Sequence, residues 1–130
     1  MKKAVLFAVM LSVASILFVG SCTTMNPKPT PEQLQNADYG RYPDDYQDIV
    51  KEYYSRVLFD PYSAHYRWMK PPYKGYFQIF GKVKYGYIVH VGVNAKNRYG
   101  GYVGEKQEGI LIYNDVVIEA FPLALIGGGY

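Results

Sequence analysis

The sequence predicts an α+β domain in which one amphipathic N-terminal helix packs on a four- to five-stranded antiparallel meander sheet. Apolar residues recur at helical spacing over residues 46–58, which indicates the helix. Several later runs alternate between bulky and small or polar residues, as half-buried strands do. Asn114 and Asp115 between two such runs are typical of a tight hairpin, so the strands follow one another as a meander. Together these patterns favour a two-layer domain.

The 130 residues divide into four segments. We assign residues 1–21 to a signal, 22–43 to a proline-rich tether, 44–122 to the folded domain and 123–130 to an apolar, glycine-rich tail. The domain is small, and its core is correspondingly limited.

The N-terminus has the layout of an exported protein. Lys2 and Lys3 precede an apolar run that reaches Gly20, as in a secretory signal. The run ends in Val19-Gly20-Ser21-Cys22, which resembles the lipobox of bacterial lipoproteins. This resemblance implies cleavage before Cys22, followed by attachment of fatty acyl chains such as palmitate to that residue. The alternative is an ordinary cysteine that follows a plain signal or a membrane anchor.

The lipobox resemblance also implies a location. In the enteric sorting pattern, residues such as Asp directly after the cysteine hold a lipoprotein at the inner membrane, whereas Thr23 stands there in this chain. We therefore expect a lipid anchor at the periplasmic face of the outer membrane. Cys22 is the only cysteine, so no intramolecular disulfide can form.

Residues 22–43 are polar and broken by four prolines, which favours an extended polyproline spacer. At about 3 Å per residue, this spacer would hold the domain up to roughly 60 Å from the membrane. Removal of Lys2 and Lys3 from the fourteen basic residues leaves twelve against eleven acidic ones. Such a balance argues against a nucleic-acid partner, which requires a dense basic face.

The predicted helix begins at Asp44, whose side chain can cap it, with Gln47 completing a capping box. Its apolar face comprises Tyr46, Ile49, Val50, Tyr53, Val57 and Leu58. Asp60 and Pro61 end the helix, because proline disfavours helical geometry in the residue before it.

The strands follow in order. We predict a short strand at 65–69, a loop at 70–75, a weaker strand at 76–80, a turn at 81–84, the clearest strand at 85–94, a return strand at 102–113 and a last strand at 116–121. Gly104 and Gly109 indicate bulges in the return strand. Val89 and Val91 lie on the bulky face of the clearest strand, and we expect Ile49, Tyr53 and Val57 to cover them.

The connection at 95–101 is the best candidate for a binding site. Asn94, Asn97, Gly100 and Gly101 would shape it, because Asn and Gly accept the positive φ angles of such turns. Lys96, Arg98 and Tyr99 would be displayed for an anion, a polar glycan or a protein surface. The alternative is a solvated loop tip without a partner.

Two stretches resemble a recurrent pattern in small exported bacterial proteins that have no established activity. They are Asp60-Pro61-Tyr62-Ser63-Ala64, and Val93 to Asn97 followed by Gly100-Gly101-Tyr102. The chain departs from the pattern at His90, where cysteine often stands, and at Val91, where glycine often follows. The resemblance therefore implies family membership without a thiol-dependent role.

The sequence offers little for catalysis. His65, His90 and the acids lack the spacing of a metal site, and no pattern indicates a cofactor. Glu105 and Glu108 should face opposite sides of their strand, which is poor acid–base geometry. We expect a protein that is not an enzyme. The fifteen tyrosines suit contact surfaces, so two hypotheses remain: a domain that docks on another envelope protein, or a module that binds cell-wall glycan or peptide.

Overall fold

The computed structural model describes residues 27–126. The predicted signal, Cys22 and the last four residues lie outside the described residues. Within the part of the chain that is described, no helix is long and apolar enough to cross a membrane.

The fold is α+β, with a four-stranded antiparallel meander rather than five strands. Two α-helices come first, α1 at Pro31–Asn36 and α2 at Tyr46–Val57. The strands are β1 at His65–Ile79, β2 at Lys82–Asn94, β3 at Lys106–Tyr113 and β4 at Val116–Pro122, in that order across the sheet. Short 3₁₀ turns at Pro61–Ser63 and Leu123–Leu125 precede β1 and follow β4.

Helix α2 was predicted from its periodicity, but its start and its buried face differ from the prediction. The N-cap is Asp45, and its side chain makes no capping hydrogen bond, so the capping box at Asp44 was wrong. The stripe facing the sheet is centred on Val50 and Tyr54, four residues apart and therefore stacked on one side of the helix. Val57 continues this stripe but is the last residue of α2, and it is exposed.

The first strand is a single long one, although two strands and a loop were predicted. Its pairing with β2 is irregular between Trp68 and Tyr73, where two prolines interrupt the ladder. β1 lies at the edge of the sheet, and an edge strand tolerates proline because its outer amides need no partner. The turn to β2 is at Phe80 and Gly81, both with positive φ, rather than at 81–84.

The later strands follow the prediction more closely. Asn114 and Asp115 have φ angles of 48° and 63° and form the predicted two-residue hairpin between β3 and β4. β3 begins at Lys106, because the chain before it forms a loop instead of pairing along β2. Gly109 keeps a regular register and is not a bulge: a Cβ there would lie 2.5 Å from the Phe121 ring.

The core has two parts, one on each face of the sheet. Between α2 and the sheet, Val50 and Tyr54 pack on Val89, Val91, Val93, Ile110 and Ile112, so the predicted burial of Val89 and Val91 is confirmed. On the opposite face, Ile88, Leu111 and Phe121 form a smaller cluster, where the Phe77 and Phe121 rings stack at 4.6 Å.

The described part of the predicted tether, residues 27–43, lies against the sheet instead of acting as a spacer. Thr30 and Gln33 form a complete capping box that starts α1. The Gln78 amide donates to the Pro27 carbonyl at 3.0 Å, and the Tyr113 hydroxyl donates to Asp38 at 2.6 Å. The Arg41 backbone amide donates to the side chain of Asn114 in the β3–β4 turn at 2.9 Å. These bonds fix where the chain leaves the domain.

Candidate functional site

The loop between β2 and β3 is organised by the side chain of Asn97. Its Oδ1 accepts hydrogen bonds from the backbone amides of Tyr99 at 2.9 Å and Gly101 at 3.2 Å. The backbone of Asn97 also bonds to Gly100 and Gly101, which closes a turn. Gly100 has φ +80°, where a side chain is penalised. Gly101 has no positive φ, so the expectation that it too needs the freedom of glycine was wrong.

This loop is tied to the 3₁₀ turn at Pro61–Ser63. The Lys96 amide donates to Ser63 Oγ at 2.8 Å, and the Tyr102 hydroxyl donates to the Ser63 carbonyl at 3.0 Å. The Asp60 carboxylate in turn accepts from the Ser63 amide. The two stretches that carry the family resemblance are therefore in direct contact, although more than thirty residues separate Ser63 from Lys96 along the chain.

The predicted contact residues lie in different settings. Arg98 and Tyr99 occupy the tip of the turn and are exposed. Lys96 is half-buried, with Nζ 5.7 Å from the centre of the Tyr102 ring. Asn94 ends β2 opposite His65, and its buried Oδ1 has no hydrogen-bond partner among residues 27–126. Lys96 is thus held by the loop, whereas Arg98 and Tyr99 project from it.

An open cleft of about 330 Å³ lies between the C-terminal end of α2 and this loop. We call it the loop-end cleft. Its apolar lining includes Val57, Phe59 and Val103, and its polar lining includes Lys96 and Glu108. A cleft with mixed lining is suited to an extended or protruding group from a partner.

Exposed apolar side chains concentrate around this cleft. Phe59 is 73% exposed and Val103 67% exposed, and Tyr62 in the adjoining 3₁₀ turn is completely exposed. We call Val57, Phe59, Tyr62, Tyr99 and Val103 the loop-end surface. Of these five residues, only Tyr99 was predicted to be a contact residue. Phe59 and Tyr62 stand outside regular helix and strand, so periodicity gives no indication of their exposure.

The carboxylate beside the cleft has a structural partner. Glu108 accepts a hydrogen bond from the Tyr54 hydroxyl. Burial, and then the bond to Glu108, raise the pKa of Tyr54 well above its usual range. The phenol therefore remains protonated at neutral pH and holds the carboxylate in place.

The second carboxylate lies on the other face of the sheet, as expected. Glu105 pairs with Arg67 across Gly92, where a Cβ would lie 2.4 Å from the Glu105 carboxyl carbon. The Arg67 guanidinium lowers the pKa of Glu105. The two carboxylates have separate partners on opposite faces of the sheet, so they do not form an acid–base pair.

His90 is buried on this same second face. Its Nε2 lies 2.6 Å from the Tyr73 hydroxyl, and burial, with a smaller effect of Lys70, lowers its pKa. The imidazole is therefore neutral at pH 7 and acts as a hydrogen-bond partner within the sheet. Residues 27–126 contain no cluster of three or more His, Cys, Asp or Glu side chains that could hold a metal ion.

Fold and site together define a small α+β domain that displays a cleft of mixed lining, with exposed apolar side chains beside it, at one end. No protein-family model, no curated protein and no solved structure matches this chain. The family resemblance therefore stays a prediction.

Proposed function

We propose that the protein is a non-enzymatic envelope lipoprotein, anchored through Cys22 at the periplasmic face of the outer membrane, whose domain docks on another envelope protein. The loop-end surface carries this proposal. It places one Phe, two Tyr and two Val side chains largely in water at the end of the domain that holds the cleft. Grouped apolar exposure of this kind is characteristic of interaction sites.

The composition of the surface favours a protein partner. Aromatic side chains in a partly concave site are the usual anchors of protein interfaces. Phe59 is 73% exposed, so a partner that covered it would remove a large apolar side chain from water, which favours association. Arg98 at the rim would add orientation and on-rate more than affinity.

A cell-wall glycan or peptide is the second candidate ligand. Tyr62, Tyr99 and Tyr102 are all exposed at the same end of the domain as the cleft. A tyrosine ring has an apolar face and a polar tip, which suits contact with a sugar or a short peptide. The tyrosines thus support a glycan or peptide ligand, whereas Phe59, Val57 and Val103 support a protein partner.

Site-specific photo-crosslinking in cells distinguishes a protein partner from a cell-wall ligand. A photo-reactive side chain replaces Phe59 in the full-length protein, and Val116, which is 59% exposed at the β3–β4 turn, serves as the matched control position. Docking on a protein predicts one discrete protein adduct from position 59 and none from position 116. Adducts that sediment with the cell wall would favour the glycan or peptide ligand. Equal labelling at both positions would contradict a specific surface.

A further inference from the structure

The β1–β2 hairpin ends in an exposed apolar turn that the fold does not explain. Phe80 is 89% exposed and Ile79 is 46% exposed. Phe80 also has φ +47°, an unfavourable conformation for a bulky residue. An aromatic ring held in water by a strained backbone adds nothing to the packing of the domain, and strain of this kind is concentrated at functional positions.

The residues around this turn have the composition of a membrane interface. Residues 70–87 contain four lysines and no Asp or Glu. Lys82 follows the turn directly and is exposed, whereas Lys84 pairs with Glu119 of β4 at 2.8 Å. Tyr76 and Tyr85 lie in register on the two strands behind the turn. Apolar tips flanked by Tyr and Lys are typical of segments that enter the headgroup region of a bilayer.

The position of Pro27 relates this turn to the lipid anchor. Pro27 is hydrogen-bonded to Gln78, two residues before Phe80. Cys22 precedes Pro27 by five residues, a span that reaches at most about 18 Å when fully extended. The loop-end surface lies beside His65, at the other end of β1. His65 precedes Gln78 by thirteen strand residues, a distance of roughly 40 Å. A lipid on Cys22 can therefore reach the hairpin end of the domain and not the loop end.

We propose that Ile79 and Phe80 insert into the bilayer that holds the acyl chains of Cys22. The inference rests on the lipidation proposed above and adds an orientation to it. Lipid and hairpin turn form two membrane contacts at one end of the domain, and two contacts restrict its tilt where a single flexible anchor would not. The loop-end surface then faces away from the membrane, toward a partner in the periplasm.

Fluorescence from a single labelled site tests this orientation. The full-length protein is expressed with Phe80→Cys, purified from membranes and placed in vesicles of phosphatidylethanolamine with a minor fraction of phosphatidylglycerol. Acylation occupies the sulfur of Cys22, so an environment-sensitive fluorophore attaches to position 80 alone. Tyr99→Cys is the matched control, because Tyr99 is also 89% exposed but lies at the loop end.

The expected result is blue-shifted emission at position 80 that brominated lipids quench, with neither effect at position 99. If the protein is acylated but the fluorophore at position 80 reports water, the inference is overturned and the proposed function still stands. Protein that mass spectrometry shows to be unacylated would overturn both. A probe at position 80 that is shielded in cells but not in vesicles would indicate a protein at the hairpin turn, which also contradicts insertion.

Discussion

At the scale of single residues, Gly100 and Gly101 are adjacent, but only one of them has a backbone conformation that favours glycine. Gly100 has φ +80°, and a Cβ there would meet nothing within 4 Å. Gly101 has an ordinary φ, and its nearest neighbour would be Asn97 Oδ1 at 4.0 Å. The sequence treats the two as equivalent, whereas the structure gives only the first a conformational reason to be glycine.

We expect Gly100→Ala to lower the free energy of unfolding by about 1 kcal/mol, because only the backbone penalty operates there. Gly101→Ala should change the free energy of unfolding by less than about 0.5 kcal/mol, as exposed substitutions usually do. Urea unfolding of the two variants measures the difference. Equal losses would show that the turn does not depend on the φ of Gly100.

The hydrogen bond between Tyr54 and Glu108 predicts a pH dependence of stability. The pKa of Tyr54 is raised in the folded state, so the folded protein retains the phenol proton more tightly than the unfolded chain. This contribution is fully present below the unfolded pKa, near 10, and is lost as pH rises above it.

Several other tyrosines, Tyr53 and Tyr66 among them, also have raised pKa values, so the comparison requires a variant. At pH 8, Tyr54→Phe should be less stable than the parent protein. Between pH 8 and pH 11, however, the stability of Tyr54→Phe should fall by less than that of the parent. Thermal unfolding across this range measures both slopes. Parallel slopes would mean that Tyr54 does not carry the effect.

At the scale of elements, the sequence predicts features that depend on neighbouring residues, such as helix periodicity and tight turns. The periodicity of α2 and the Asn114 and Asp115 hairpin were confirmed, because both depend on neighbouring residues. The unbroken β1 and the docked segment at 27–43 were missed. Two prolines are tolerated in β1 only because it is an edge strand, and the segment is held by bonds to residues far along the chain, such as Asn114.

Only part of the candidate site was predicted: the loop was, and the cleft beside it was not. The loop and its display of Arg98 and Tyr99 are local properties of the turn. The loop-end cleft needs the end of α2 to lie beside residue 103, which no spacing in the sequence reveals. Val57 was assigned to the core because it continues the helical period, but it is the last residue of α2 and is exposed on the loop-end cleft.

The docked N-terminal segment yields a prediction about hydrogen exchange. Asn114→Gly keeps the positive φ of the hairpin turn and removes the acceptor for the Arg41 amide. The Arg41 amide should then exchange faster, while the amides of β2 and β3 remain protected. Asn114→Asp retains an acceptor oxygen and serves as the control. Faster exchange throughout the sheet would show that this contact supports the whole fold.

At the scale of the whole molecule, the fold separates two ends. The chain leaves the described domain at Pro27, beside the β1–β2 hairpin, and the loop-end surface lies at the opposite end of the sheet. Under the proposed function, one end meets the membrane and the other meets the partner.

If Cys22 is lipidated as proposed, Cys22→Ser should leave an unprocessed precursor without an acyl label. The reason is that the sulfur of Cys22 is the acceptor of the first lipid in the class that the signal resembles. Labelling with radioactive palmitate and immunoprecipitation provide the measurement, with Ser12→Ala as a control for substitution in the signal. An acyl label that persists in the Cys22→Ser variant would refute lipidation at this residue.

Docking on a protein partner through the loop at 95–101 is tested by one triple variant. Replacement of Lys96, Arg98 and Tyr99 by Ala should leave the free energy of unfolding within about 0.5 kcal/mol per site. The bond from this loop to Ser63 uses the backbone amide of Lys96 and survives the change. The decisive measurement is the yield of the photo-adduct from position 59 in cells, read beside the unfolding midpoint. We predict a variant that still folds, with a midpoint lowered only by this small loss, and a lost adduct. A folded variant that retains the adduct would contradict docking through this loop, and a variant that unfolds would show that the loop is structural.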